Sequence, residues 1–165
     1  MKKAQLQTLV NSLIPKFYSF AFALVPDELQ AEQMVIDAYA VFVVREKNFI
    51  SKFKYTDDKK EKSIFKKYIM SHMINEIYKM GVKRSSQLRI LGSRDHGQFE
   101  SFYNLKTNQR AVLFLKESFN YSIETIQDTL RLEKYQVIET LYNGRQSILA
   151  VNDLPENNSR GFKSV

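Results

Sequence analysis

Leu6, Leu9, Leu13, Phe17, Phe20 and Leu24 recur at steps of three and four, the spacing that lines up one face of an α-helix. Pro15 falls inside this run and is expected to kink or split it, because proline has no N–H to donate. Pro26 stops the element, and Asp27 is placed to cap the next one, which passes through Leu29, Val35, Ala38 and Phe42 into Arg45–Lys47. "SKFKYTDDKKEK" reads as a polar, charged loop. A third strong helix follows, with Phe65, Ile69, Met73, Ile77 and Met80 on one face.

Between Gly81 and Asn104 the pattern breaks down. Three of the five glycines and several serines fall there, as in a linker. Helical spacing resumes near Thr107, an available N-cap, and continues to Phe119. Asn120 suits the left-handed position that ends a helix, and Ser122 suits the cap of the next. Ile123, Ile126, Leu130, Leu132, Val137 and Leu141, with Ile148 just beyond, then form an inward set over "YSIETIQDTLRLEKYQVIETLYNGR", two short helices joined by a tight turn. That spacing fits a helix-turn-helix, and equally any three-helix bundle. The pattern therefore predicts an all-α protein of two small helical domains, residues 1–80 and 105–150. A flexible linker, 81–104, joins them, and a disordered tail, 151–165, follows.

Composition adds three constraints. Hydrophobic residues make up 44% of the 165, enough for a core. No cysteine is present, which removes disulfides and thiolate metal sites and fits a reducing, cytoplasmic location. Lys2 and Lys3 before an apolar-leaning stretch imitate a secretory leader, but Gln5, Gln7, Asn11, Ser12 and Lys16 interrupt it. The run from Phe17 to Val25 falls well short of the ~18 apolar residues of a membrane span, so a core helix and no membrane insertion are expected.

The net charge of +7 is concentrated. Residues 52–94 carry twelve bases against four acids, +8 in all, while residues 1–51 are neutral and 105–149 carry +1. In that basic stretch aromatics alternate with lysines: Phe53-Lys54-Tyr55, Phe65-Lys66-Lys67-Tyr68, Tyr78-Lys79. Lysines neutralise phosphates and ring faces accept unstacked bases, the combination that holds a melted strand. Lys52, Lys54, Tyr55, Lys66, Lys67, Lys79, Lys83 and Arg84 are the candidate nucleic-acid contacts, although Phe65 also lies on the core stripe and Lys66 and Lys67 equally fit a solvated face. His72 with Glu76 is half of a metal pair with no third ligand nearby, and His96 is isolated, so no metal or cofactor is expected. No phosphate-binding glycine loop, nucleophile elbow or pair of catalytic carboxylates stands out, which points away from an enzyme.

Residue identities go further than spacing. "LKTNQRAVLFLKESFNYSIETIQDTLRLEKYQVIETLYNGRQSIL" resembles the C-terminal promoter-reading domain of sigma factors of the extracytoplasmic-function (ECF) type, with Leu105, Gln109, Arg110, Val112 and Leu115 in the opening helix. Tyr121, Ser122, Glu124, Ile126, Leu130, Val137, Leu141 and Arg145 fall in register with that family's helix-turn-helix. "FYSFAFALVPDELQAEQMVIDAYAVFV" is similar to the family's first polymerase-binding segment, with Ala31-Glu32 after a short turn. "FKKYIMSHMINEIYK" follows the next segment's pattern through Phe65, Ile69, His72, Glu76 and Lys79. The two halves, in the same order and separation, cover most of the chain.

The resemblance implies a protein that binds core RNA polymerase through Glu32, Gln33, Val35, Ile36 and Asp37. It implies contact with the promoter −10 element through the basic helix 61–80. It also implies reading of the −35 element through helix 133–146, with Lys134, Tyr135, Gln136, Glu139, Thr140 and Arg145 toward DNA. Promoter DNA and core polymerase are the implied partners, and family members are often held by an anti-sigma factor. Departures are visible: Gln33 and Ile36 replace an acid and an amide, Arg131 a small turn residue, and Gln127 an alanine. Gln136, Val137, Ile138, Glu139 and Thr140 replace a threonine-valine-lysine-serine-arginine run. A sigma-like regulator or adaptor that does not itself start transcription is the alternative.

Overall fold

The computed structural model describes residues 2–53, 57–88 and 97–152. The expectations at Lys54 and Tyr55, at 89–96 of the linker and at 153–165 of the tail lie outside the described residues. Within them the chain is all-α, with no strand: α1 (Lys2–Leu24), α2 (Glu28–Arg45), α3 (Lys47–Phe53), α4 (Lys59–Leu88), a 3-10 turn Gly97–Phe99, α5 (Glu100–Tyr103), α6 (Thr107–Glu117), α7 (Ile123–Leu130) and α8 (Lys134–Asn152).

Three elements differ from the pattern reading. α1 is not split at Pro15, which sits on its exposed side, where water can reach the carbonyl that proline leaves without a donor. Leu13 and Phe17, both buried, hold the helix on either side. The expected charged loop is partly helix, because Ile50 and Phe53 are buried and fold α3 onto the core. α4 continues through Gly81 to Leu88, beyond the point where glycine and serine content suggested an end. A Cβ at Gly81 would stand 2.7 Å from Leu24 Cδ1 and 2.9 Å from Leu24 Cβ, so glycine is there for close helix packing. At the start of α6 the cap position belongs to Lys106, whose N–H is accepted by the Gln109 side chain at 3.1 Å, with Thr107 the first helical residue.

α1, α2 and α4 pack together around Phe17, Phe20, Leu24, Met34, Ala38, Phe42, Ile69, Met73 and Ile77, while α6, α7 and α8 pack around Val112, Leu115, Ile126, Leu130 and Val137. The groups touch. α1 lies against α6, and α4 against α6 and α7. Phe20 meets Phe114 at 5.9 Å between ring centroids. Arg110, buried, donates to Tyr103 O at 2.9 Å, Leu105 O at 2.7 Å and Leu24 O at 2.7 Å. Leu24 ends α1, so its carbonyl is one the helix itself leaves open, and the positive charge suits that end of the helix dipole. Asn75, buried on α4, donates to Thr129 O near the end of α7 at 2.9 Å.

Candidate functional site: the outer face of α2, the basic helix α4 and the pair α7 and α8

α2 begins at Asp27, whose carboxylate accepts from Gln30 N–H at 3.0 Å in extended backbone geometry. Ala31, Met34, Val35, Ala38 and Phe42 face the core. Val35, which the resemblance places among the polymerase contacts, therefore points inward. The opposite side is apolar too: Leu29 and Ile36 are 77% and 60% exposed, and Val43 and Val44 continue the face. Glu32 and Gln33 lie exposed beside it. Asp37 is engaged internally, accepting from Gln33 Nε2 at 2.8 Å and Arg84 at 2.6 Å.

That contact relocates Arg84. The side chain expected at DNA turns back from α4 to α2, donating to Asp37, to the Gln30 side chain at 3.2 Å and to Gln30 O at 3.4 Å. Lys79 is shared as well: Glu76, largely shielded, accepts from Lys79 and from Arg45, each at 2.9 Å. Lys52, Lys66, Lys67 and Lys83 are exposed and form no ion pair among the described residues.

The aromatics of this half stack on one another. Phe49 and Tyr68 lie 3.9 Å apart and nearly parallel, Tyr68 and His72 4.1 Å apart, and Phe65 meets Phe49 and Phe53 edge-on at 4.6 and 4.7 Å. Tyr68 donates its hydroxyl to Glu46 at 2.6 Å, and burial together with that carboxylate pushes its pKa up to about 12. His72 Nδ1 stands 3.6 Å from Glu46, yet its pKa is lowered: burial, helped by Arg131, outweighs the carboxylate. Tyr68 thus gives its ring face to neighbours, and Phe65 packs against Phe49 and Phe53. Phe49 and Glu46, which build this stack, carry no signal in the sequence.

In the C-terminal half α7 and α8 are joined by the three residues Arg131, Leu132 and Glu133. Ser122 caps α7 by accepting from Thr125 N–H at 3.0 Å, Asn120 takes a φ of 52° before it, and Arg131 a φ of 55° after it. Several expected reading residues are already occupied. The Gln136 side chain accepts from Glu133 N–H at 2.8 Å, closing the start of α8. Lys134 lies 3.3 Å from Glu124, whose own pKa is lowered by a hydrogen bond from its main chain and by Lys134. Arg145 pairs with Glu117 on α6. Tyr135 and Glu139 are exposed, and Thr140 is half-buried. Among the described residues no group of three or more His, Cys, Asp or Glu is placed to hold a metal ion, and no helix is long and apolar enough to cross a membrane.

The helices packed in this order, α1, α2 and α4 on one side and α6, α7 and α8 on the other, form a fold that a solved structure shares. The chain is similar to the sigma factor RpoE from Bartonella quintana, determined in complex with the anti-sigma factor NepR, with a TM-score of 0.61 over 94% of this chain and 99% of that one. The two sequences are 16% identical. No protein-family model matches this sequence, and no curated protein matches it.

Proposed function

We propose that this protein works as a divergent sigma factor of the ECF type, binding core RNA polymerase and directing it to promoters. The observation that carries the proposal is the outer face of α2. Leu29, Ile36, Val43 and Val44 leave an apolar stripe in water on a helix already packed through its other side, which is what a protein-docking helix requires. Glu32 and Gln33 rim that stripe, while Asp37 braces it through Arg84.

DNA contact then belongs to Lys52, Lys66, Lys67 and Lys83, whose charges are free for phosphates, with Lys79 shared with Glu76. Within α8, Tyr135, Glu139 and Thr140 are the residues left for base edges. The chain acts as two units, 1–80 and 105–150, that pack on each other when free. Reading two separated promoter elements at once needs them apart, so polymerase would break the Arg110–Leu24 and Asn75–Thr129 bonds. An anti-sigma factor, which RpoE carries in its structure, would hold the pair closed, and all of this takes place in the cytoplasm.

One observation favours the second reading, a sigma-like adaptor or regulator that does not initiate: both basic residues of the reading face, Lys134 and Arg145, are neutralised within the chain. Co-purification with core polymerase, followed by run-off transcription on genomic fragments, separates the two. The sigma reading expects both to succeed and Ile36→Glu to abolish both; core binding without initiation selects the adaptor. Failure of both assays with the unaltered chain ends the proposal. Lys66→Glu with Lys67→Glu should lower DNA retention and flatten its salt dependence.

A further inference from the structure

A cavity of about 450 Å³ opens where α1, α5 and α6 meet, lined by the rings of Tyr18, Phe22, Phe99, Phe102, Tyr103 and Phe114. Tyr103 meets Phe22 and Phe102 edge-on, at 6.5 and 5.1 Å, and Phe99 is left 58% exposed at the lip. A ring-lined hollow of this size, open to water, marks a place where something apolar binds. Carboxylates gather beside it. Partial burial first, then the charges of Glu28, Glu32 and Asp27, raise the pKa of Tyr18, so those acids lie within electrostatic reach of the cavity wall. Glu100 stands exposed next to Phe99. Of the bases close by, Lys16 is held over the Phe119 ring at 6.0 Å, and Arg110 is buried with its N–H groups on carbonyls.

We propose that the cavity is filled by this chain's own C-terminal segment, with Phe162 inserted among the rings and Arg160 and Lys163 facing Glu28, Glu32 and Glu100. Position, reach and charge select that occupant. α8 runs back along α6: Lys134 at its start lies by Glu124, beyond the end of α6, while Gly144 lies against Gln109 and Leu113 in the first turns of α6. The end of α8 at Asn152 therefore heads toward α5, which packs on α8 and forms one wall of the cavity. From Asn152 to Phe162 is ten residues, up to ~33 Å of extended chain, against the ~10–12 Å needed to cross one helix. Phe162 is the one aromatic residue of 153–165, and bases flank it at Arg160 and Lys163. The acids of that segment, Asp153 and Glu156, fall close to α8 and far from Phe162 in sequence.

A ring seated there touches α1 and α6 at once, so the docked segment straps the N-terminal helices to the C-terminal ones. The proposal does not depend on the sigma-like reading and survives its failure.

The chain has no tryptophan, so Phe162→Trp puts a single indole at the anchor. In the full chain its emission should be blue-shifted, and acrylamide should quench it several-fold less than free tryptophan amide. Adding Phe99→Glu, at the exposed lip, should return both readings to those of a solvated indole, with helical circular dichroism unchanged. Adding Arg160→Glu with Lys163→Glu, which alters no described helix, should do the same, and rising salt should move the readings in that direction. Dilution should change nothing, because cavity and anchor belong to one chain. A solvated indole in the otherwise unaltered chain, the result expected if a small molecule or another protein is the occupant, would overturn the proposal. Shielding that either set of added changes leaves intact would overturn it too, as would shielding lost on dilution, which places the segment in a second copy.

Discussion

Arg110 brings a guanidinium into the seam between the two halves, where carbonyls of Leu24, Tyr103 and Leu105 accept its N–H groups. Arg110→Met would retain apolar volume but leave buried carbonyls without donors. Urea unfolding should show a loss of roughly 3 kcal/mol. His72 makes a pH-dependent contribution. Burial holds its imidazole below the ordinary 6.5, so the unfolded chain takes up that proton at a higher pH than the fold does. Its contribution is fully present above the ordinary value and is lost as pH falls through the depressed one. His72→Asn should therefore flatten the fall in stability as pH drops below the ordinary imidazole value, relative to the unaltered chain; an unchanged slope would place the titration elsewhere. The capping positions were readable in advance: Asn120 and Ser122 depend on neighbours one to three residues away, and they sit as their chemistry suggests.

Elements were legible where a single apolar stripe decided them. α2 and α4 bury most of the expected positions, Ala38, Phe42, Ile69, Met73 and Ile77 among them, while Leu29 stays exposed. Glycine was the misleading signal. Gly81 suggests an end, and Gly144 sits inside α8, yet both are helical because other helices press close to them. The two should answer differently to alanine. At Gly81 the new Cβ would meet Leu24 Cβ, which cannot swing away, so Gly81→Ala is expected to destabilise by about 1–3 kcal/mol. At Gly144 the nearest atom, 2.9 Å off, is Leu113 Cδ1, the movable end of a side chain. Gly144→Ala should be close to neutral or gain up to about 1 kcal/mol from helix propensity. Thermal unfolding of both variants checks the contrast.

At the scale of the molecule, helices of both halves share buried surface along α1–α6 and α4–α7. Far-ultraviolet dichroism, which follows all helices, and near-ultraviolet signals from the tyrosines should therefore lose structure in one coincident transition. Two separated transitions would mean that the halves hold together only loosely. The same packing explains why a charge count describes the candidate site poorly. Residues 52–94 carry +8, but Arg84 is drawn to Asp37, 47 residues away, and Lys79 shares Glu76 with Arg45, which lies 31 residues from that carboxylate.

Taken by itself, the sequence determined the helical class, the order of the principal helices, the caps at Asp27, Asn120 and Ser122, most inward faces, and the resemblance of each half to a sigma factor. Those properties rest on spacing and on interactions between near neighbours, which a linear pattern records. Only the tertiary structure decided which cations stay free, that Phe49, Tyr68 and His72 stack together, and that α2 and α8 each keep a second apolar face in water. The physical reason is range. A side chain's partner across the fold is chosen by how helices pack, and nothing in its local sequence names that partner.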